Sequence, residues 1–160
     1  MKTLVVGDLH LKQQFVLPRI DGMLAGDAEI GRIVFLGDAC DDWGANEADE
    51  LNAMEFYAKW VREHRGRGIR IDVLLGNHDF CYVRGKRGPG SIMSIMRNLR
   101  TILEDALQAK VACAVGPYLC SHAGVTGVWA KRFLADVPAD AVAIAQRLNE
   151  MLADSSHWGD

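Results

Sequence analysis

The sequence lacks the usual marks of several protein classes. Its four cysteines, Cys40, Cys81, Cys113 and Cys120, are scattered and form no C-x-x-C pair. That removes the thiolate zinc ribbon and the disulfide-stapled secreted scaffold, and points to reduced thiols. No run approaches the ~18 apolar residues expected of a membrane span. The N-terminus has no basic, apolar and small-residue leader pattern, so a cytoplasmic location is expected. The net charge of −3 gives no nucleic-acid signature, although a local basic patch is compatible with it. No internal repeat, low-complexity segment or linker divides the chain. With 160 residues it reads as one domain over 1–160. A domain of that size buries roughly 70% of its unfolded surface and needs no staples.

What is present is a recurrent pattern. Short apolar runs end in a turn followed by Asp, His or Asn: Val5-Val6-Gly7-Asp8-Leu9-His10, Val34-Phe35-Leu36-Gly37-Asp38, Leu75-Gly76-Asn77-His78-Asp79 and Leu119-Cys120-Ser121-His122. The runs predict strands at residues 3–6, 32–36, 69–75, 111–115 and 118–121, the last two joined by Gly116-Pro117. Between them, a helix carries Pro18 in its first turn and Ile20, Met23 and Leu24 on one face, weakened by Gly22 and Gly26. A stronger helix spans 47–65, with Leu51, Met54, Ala58 and Val61 aligned and Glu47 and Glu50 in its first turn. Residues 38–44 read as a loop too polar for core, and 84–90 as a flexible basic loop. Ser91 is expected to cap a helix bearing Ile92, Ile95, Met96, Leu99, Leu103, Ala106 and Leu107. Two short helices are expected at 128–134 and 139–152. The alternation implies an α/β fold with a more antiparallel second half.

In such sheets ligands bind beyond the carboxyl ends of the strands. Asp8, His10, Asp38, Asn77, His78 and His122 would then surround one site. Each residue alone is weak, since Gly-Asp after a strand commonly serves a turn or cap, but four strand ends carrying them together is a stronger pattern. Mixed carboxylate, imidazole and amide oxygens suit Mn²⁺, Fe or Zn²⁺. A carboxylate such as Asp38 can bridge two cations, and a metal pair binds phosphoryl oxygens and activates water. His78 could then protonate a leaving alkoxide, with Asp41 as its orienting acid.

The segments Gly7-Asp8-Leu9-His10, Gly37-Asp38-Ala39-Cys40-Asp41, Gly76-Asn77-His78-Asp79 and Ser121-His122-Ala123-Gly124 together resemble the calcineurin-like metallophosphoesterase superfamily. The last leans towards the branch of serine/threonine protein phosphatases, bacteriophage phosphatases and symmetrical diadenosine tetraphosphate hydrolases. The resemblance runs from residue 4 to about residue 125. It implies a four-layer α/β/β/α sandwich and two divalent metal ions, Mn²⁺ first, with Fe, Zn²⁺ and Mg²⁺ as alternatives. It implies Asp8, His10 and Asp38 around one metal, Asp38, Asn77 and His122 around the other, His78 as general acid and Asp41 as its partner. The implied activity is hydrolysis of a phosphate ester, a monoester before a diester or nucleic acid; a catalytically weak binding module is the contrasting reading.

The chain departs from that branch at two places. Asp42-Trp43 stand where an Arg-Gly pair would grip phosphate, and Arg84, Lys86 and Arg87 are the candidates to replace that grip. No Gly-His element follows His122; only His157 does, in a segment similar to the Trp-x-Asp stretch that precedes the branch's last strands. The expectation is a chain that stops before the last strands and last His ligand, with an open sheet edge suited to a homodimer. Other residues read blandly: His64 as a helix-end dipole partner, Trp60 and Trp129 as packing, the cysteines as small apolar fillers. Trp43 stays open between loop packing and a lip of the site.

Overall fold

The computed structural model describes residues 1–154; His157 lies outside the described residues. Three parallel strands form the first sheet, in the order β1 (Lys2–Val6), β2 (Ile30–Phe35), β3 (Arg70–Val73). Leu74 extends it by a single parallel bridge to Lys110. The second sheet is an antiparallel hairpin of β4 (Ala112–Val115) and β5 (Tyr118–Ser121), with Cys113 opposite Cys120. Helices flank the sheets, and the architecture is mixed α/β. No helix among the described residues is long and apolar enough to cross a membrane.

Side chains alternate across a strand, and this divides the core. Ile33, Phe35, Ile71 and Val73 point towards helices α1 (Gln13–Gly26) and α2 (Glu47–Gly66), where Leu17, Ile20, Met54, Tyr57 and Val61 are fully buried or nearly so. Val34 and Leu74 point the other way and meet Cys113 of the hairpin. Arg32 and Asp72 share that second face. Asp72 accepts from Arg32 Nε at 2.8 Å and from Lys110, so the charges between the sheets are paired. Beyond the hairpin lies α6 (Ala141–Ala153), whose Asn149 accepts from Val111 N–H at 3.0 Å and donates to the Ala112 carbonyl at 2.9 Å.

Three local expectations are corrected. Pro18 is not in the first turn of α1 but inside it, because the helix starts at Gln13. The Gln13 amide is drawn inward to donate to the Ala39 carbonyl at 2.9 Å, which fixes the earlier start despite the proline. His64 lies in the last turn of α2 with Nδ1 2.9 Å from the Trp60 carbonyl, and it also stacks on Trp60 at 3.8 Å and places Nε2 2.9 Å from Asp21 of α1. Ser91 caps nothing; its hydroxyl exchanges hydrogen bonds with Gly88. The following helix opens as a 3₁₀ turn (Met93–Ile95), continues as α4 (Met96–Thr101) and ends in a π turn (Ile102–Ala106). Finally, the basic stretch begins as helix: α3 (Asn77–Arg84) occupies the central motif, and the loop starts only at Gly85, at φ +67°.

The remaining helices follow their patterns. Asn46 caps α2 by accepting from Ala48 and Asp49 N–H, while Asp49 reaches back to the Asn46 N–H. Thr126 caps α5 (Gly127–Phe133), which carries a half-buried Trp129. Trp60 is core. Cys40 and Cys113 are buried, whereas Cys81 and Cys120 are only partly so.

Candidate metal centre

The loops after β1, β2, β3 and β5 gather at one end of the sheets, and backbone contacts fasten them to one another. Leu9 and His10 N–H both donate to the Asp38 carbonyl, at 3.0 and 2.9 Å. Gly37 and Gly76 touch. A Cβ on Gly37 would stand 2.3 Å from Gly76 N, and one on Gly76 would stand 2.0 Å from Asp38 Oδ1. Gly37 also holds φ +113°, which other residues rarely adopt. Gly76 itself is extended, so its need for glycine is closeness, not turning freedom.

Asp79 ties the second and third loops. It is fully buried; one carboxylate oxygen accepts from Ala39 N–H at 3.0 Å and Cys40 N–H at 2.9 Å, the other from Gly76 N–H at 2.9 Å. Burial pushes its carboxyl up, against the pull of these donors. His10, Leu11, Asp38 and Asp41 all lie at positive φ, so the backbone carries strain where the side chains converge.

Asp38 is the centre of that convergence. Its Oδ1 accepts from the His78 backbone N–H at 2.9 Å, which turns Oδ2 towards His122 Nε2 at 3.4 Å and His10 Nε2 at 3.8 Å. His10 Nδ1 lies 2.8 Å from the Asp41 carbonyl, and His122 Nδ1 lies 3.1 Å from the Leu36 carbonyl. A carbonyl only accepts, so each Nδ1 donates, and each Nε2 is left with the lone pair in the neutral ring. His122 Nε2 faces Asn77 Oδ1 at 3.1 Å as well. Acceptor atoms thus face acceptor atoms, an arrangement that a proton or a shared cation between them would satisfy. Donor atoms of His10, Asp38 and His78 lie within 4.8 Å of one another. The residues fit a divalent metal with oxygen and imidazole ligands. Burial disfavours the His10 imidazolium, but the Asp41 carbonyl and Asp38 outweigh it and raise the group.

Beside the cluster stands an imidazole–carboxylate pair. His78 Nδ1 lies 3.0 Å from Asp41 Oδ2, and its ring meets His10 edge-on at 5.0 Å. Asp41 is buried, contrary to the expectation of a loop too polar for core: Asp38, Ala39, Cys40 and Asp41 are all interior, because Asp79, Glu50 and Tyr82 supply polar partners there. Tyr82 of α3 donates its hydroxyl to Asp41 Oδ1 and accepts from Ile92 N–H at 2.9 Å. Glu50 of α2 accepts from Asp41 N–H at 3.0 Å, and burial raises its carboxyl to about 7.

The structure brings His10, Asp38, Asn77, His78, His122 and Asp41 together. Asp8 stands at the margin, with 52% of its side chain exposed and Oδ1 3.9 Å from His122 Nδ1. Arg84 lies in the last turn of α3 with its guanidinium 5.8 Å from the Phe80 ring centre; Lys86 and Arg87 are exposed in the following loop. None of the three lines the cleft at His78. Sequence reasoning missed Tyr82 and gave Glu50 only a helix-start role. The signal available for Tyr82 was its i+4 spacing from His78, meaningful only once residues 77–84 are read as a helix.

No match was found among curated proteins or among solved structures. The family model described as calcineurin-like phosphoesterase matches residues 1–158. With that match spanning nearly the whole sequence, and with strand-end loops that gather an Asp38-centred set of metal-binding side chains, the chain belongs to the calcineurin-like phosphoesterase family.

Proposed function

We propose that the protein is a metal-dependent phosphomonoesterase, with phosphoprotein, nucleotide or small ester substrates in range. The observation that carries this reading is the His78–Asp41 pair standing directly beside the Asp38-centred donor set. Asp8, His10 and Asp38 would hold one divalent ion, and Asp38, Asn77 and His122 a second, Mn²⁺ before Fe, Zn²⁺ or Mg²⁺. Bound there, the ions would supply phosphoryl-oxygen binding and a water of lowered pKa.

The chain's own residues do the rest. Asp38 is held by the His78 N–H so that one oxygen stays turned to both imidazoles. Asp41 fixes the proton on His78 Nδ1 and balances the imidazolium, so His78 Nε2 can deliver a proton to the leaving alkoxide. Tyr82, donating to the other Asp41 oxygen, keeps that carboxylate oriented. Arg84, Lys86 and Arg87 would add attraction for the phosphate dianion from the end of α3 and the loop after it. The proposal includes a single domain over 1–160 and work in the reducing cytoplasm, which the four free thiols support. It also includes a homodimer formed at an outer strand, supported by the half-exposed Val5 on β1.

The test is metal-loaded protein given p-nitrophenyl phosphate and its bis ester in Mn²⁺. Monoester turnover is the expected result. Turnover of the diester alone would replace the reading with a diesterase or nuclease, and bound metal without turnover would replace it with a binding module.

A further inference from the structure

Trp43 is 88% exposed, immediately after the loop that carries Asp38 and Asp41. Its side chain is not loop packing, and its N–H donates to the neighbouring Asp42 carboxylate at 3.0 Å. Two hollows meet at this ring. One, of about 220 Å³, is bounded by His78, His10, Asp41, Trp43 and Pro89. The other, of about 400 Å³, lies against Trp43, Phe15, Leu11 and Ala53, with Asp49 on its wall. Phe15 is itself 65% exposed. The first hollow is mainly apolar and runs from His78 across Pro89 to Trp43, whereas the second is mixed, with Gln14, Asp49 and Asn52 beside Phe15. The first hollow is large enough for one ring, since a cavity of ~150 Å³ accommodates benzene.

Charge narrows the occupant further. Neither hollow is lined by Lys or Arg among the described residues, while Asp41, Asp42 and Asp49 are. The nearby Lys12 is paired with Asp42. His10 and His78 face Asp38 and Asp41, so a further phosphate or carboxylate on the departing alcohol would meet Asp42 and Asp49 with no lysine or arginine on the walls to receive it. A different hollow, of about 380 Å³, opens behind Asn77 and His122 among Phe80, Trp129 and Val125, but His78 does not line it. The departing group must sit where its proton is delivered, which is the Trp43 side.

We infer that the hollow between His78, Trp43 and Pro89 is the leaving-group subsite, and that it selects phosphomonoesters whose alcohol carries a flat aromatic ring and no second anionic group. The inference rests on the esterase reading above and names the substrate class of that site. Trp43 is the specificity-determining residue, offering its face to the ring of the alcohol; the stacking is expected to favour ring-bearing esters by about tenfold.

The experiment compares benzyl phosphate, ethyl phosphate and ethylene glycol bisphosphate in Mn²⁺, as ratios of kcat/KM, for wild type, Trp43→Ala and Trp43→Phe. The first two release alkoxides of similar basicity, so their ratio isolates the ring. Benzyl should exceed ethyl about tenfold, Trp43→Ala should bring the ratio close to one, Trp43→Phe should keep most of it, and the bisphosphate should be the poorest. In parallel, benzylphosphonate and methylphosphonate are titrated against ¹⁵N-labelled protein, following the Trp43 indole N–H signal, assigned by its loss in Trp43→Phe. Only the benzyl compound should move it. A wild-type ratio near one, a ratio unchanged in Trp43→Ala, a preferred bisphosphate, or an indole signal unmoved by benzylphosphonate each overturns the inference. No turnover of any ester with the indole still shifted would leave the ring subsite standing and remove the esterase reading.

Discussion

Replacing Glu50 by glutamine turns a buried titration into a measurable stability difference. Glu50 sits in the first turn of α2, fully buried; one oxygen accepts from Asp41 N–H and the other has no hydrogen-bond partner among the described residues. Burial first, then the charges of Asp41 and Asp79, raise its carboxyl from 4.5 to about 7, against the pull of the Asp41 N–H. A carboxyl that holds its proton more tightly folded than unfolded adds stability that is fully present below 4.5. That contribution declines as pH rises and is gone above about 7. The gap corresponds to about 3 kcal/mol at most. Glutamine matches the protonated acid in shape, keeps the acceptor for Asp41 and does not titrate. Glu50→Gln should therefore lie within about 1 kcal/mol of wild type near pH 5 and exceed it by up to about 3 kcal/mol at pH 8, or roughly 6–12 °C in Tm for a chain of this length. His10, also raised, titrates in both proteins and cancels in the difference. Urea unfolding of both proteins from pH 5 to 8 is the assay. Stability curves that run parallel across the range would refute the reasoning, as would a large loss in the variant at pH 5.

Three further substitutions probe the centre. Asp38→Asn, which weakens the proposed bridge, should lower bound metal at both positions together; two equivalents retained on metal analysis would show that Asp38 bridges nothing. His78→Asn should cut kcat by about 10²–10⁴-fold on alkyl phosphates and much less on p-nitrophenyl phosphate, with metal content unchanged. Equal losses on both esters, or metal lost with the imidazole, would instead make His78 a ligand. Tyr82→Phe removes the donor to the Asp41 carboxylate, costing about 1.5–3 kcal/mol in urea unfolding. It should also depress alkyl ester turnover more than nitrophenyl turnover, whereas uniform losses would mean that the hydroxyl only supports the fold.

Much of the site was legible because its residues sit at strand ends, where an apolar run followed by glycine and a polar residue marks the place. The parallel pairing of β1, β2 and β3, the hairpin of β4 and β5 and the long α2 followed from apolar runs and helical spacing. Less visible were features set by distant partners. Asp79 read as one more carboxylate, but its three backbone donors come from two loops. Pro18 suggested a helix start, and a single buried amide, Gln13, moved that start earlier. His64 read as a helix-end residue, which its place in the last turn of α2 matches, but its contact with Asp21 of α1 was not visible. The burial of Asp41 needed Glu50, Tyr82 and the packed α3, none of which local polarity could indicate.

The contact between Gly37 and Gly76 binds the chain's history as well as its shape. Neither position has room for even a methyl group while the other loop stays in place. Enlarging one glycine cannot be offset by shrinking the other, because both are already the smallest residue. Sequence drift at either position is thus closed to single steps, and spreading these two loops would require moving Asp38 away from the backbone N–H of His78 at the same time. The spacing between Asp38 and Asn77 is therefore among the last features of this protein that substitution can retune. Variation in which ions or esters it accepts has to enter through freer positions, such as Asp8 at the margin and Trp43 on the rim.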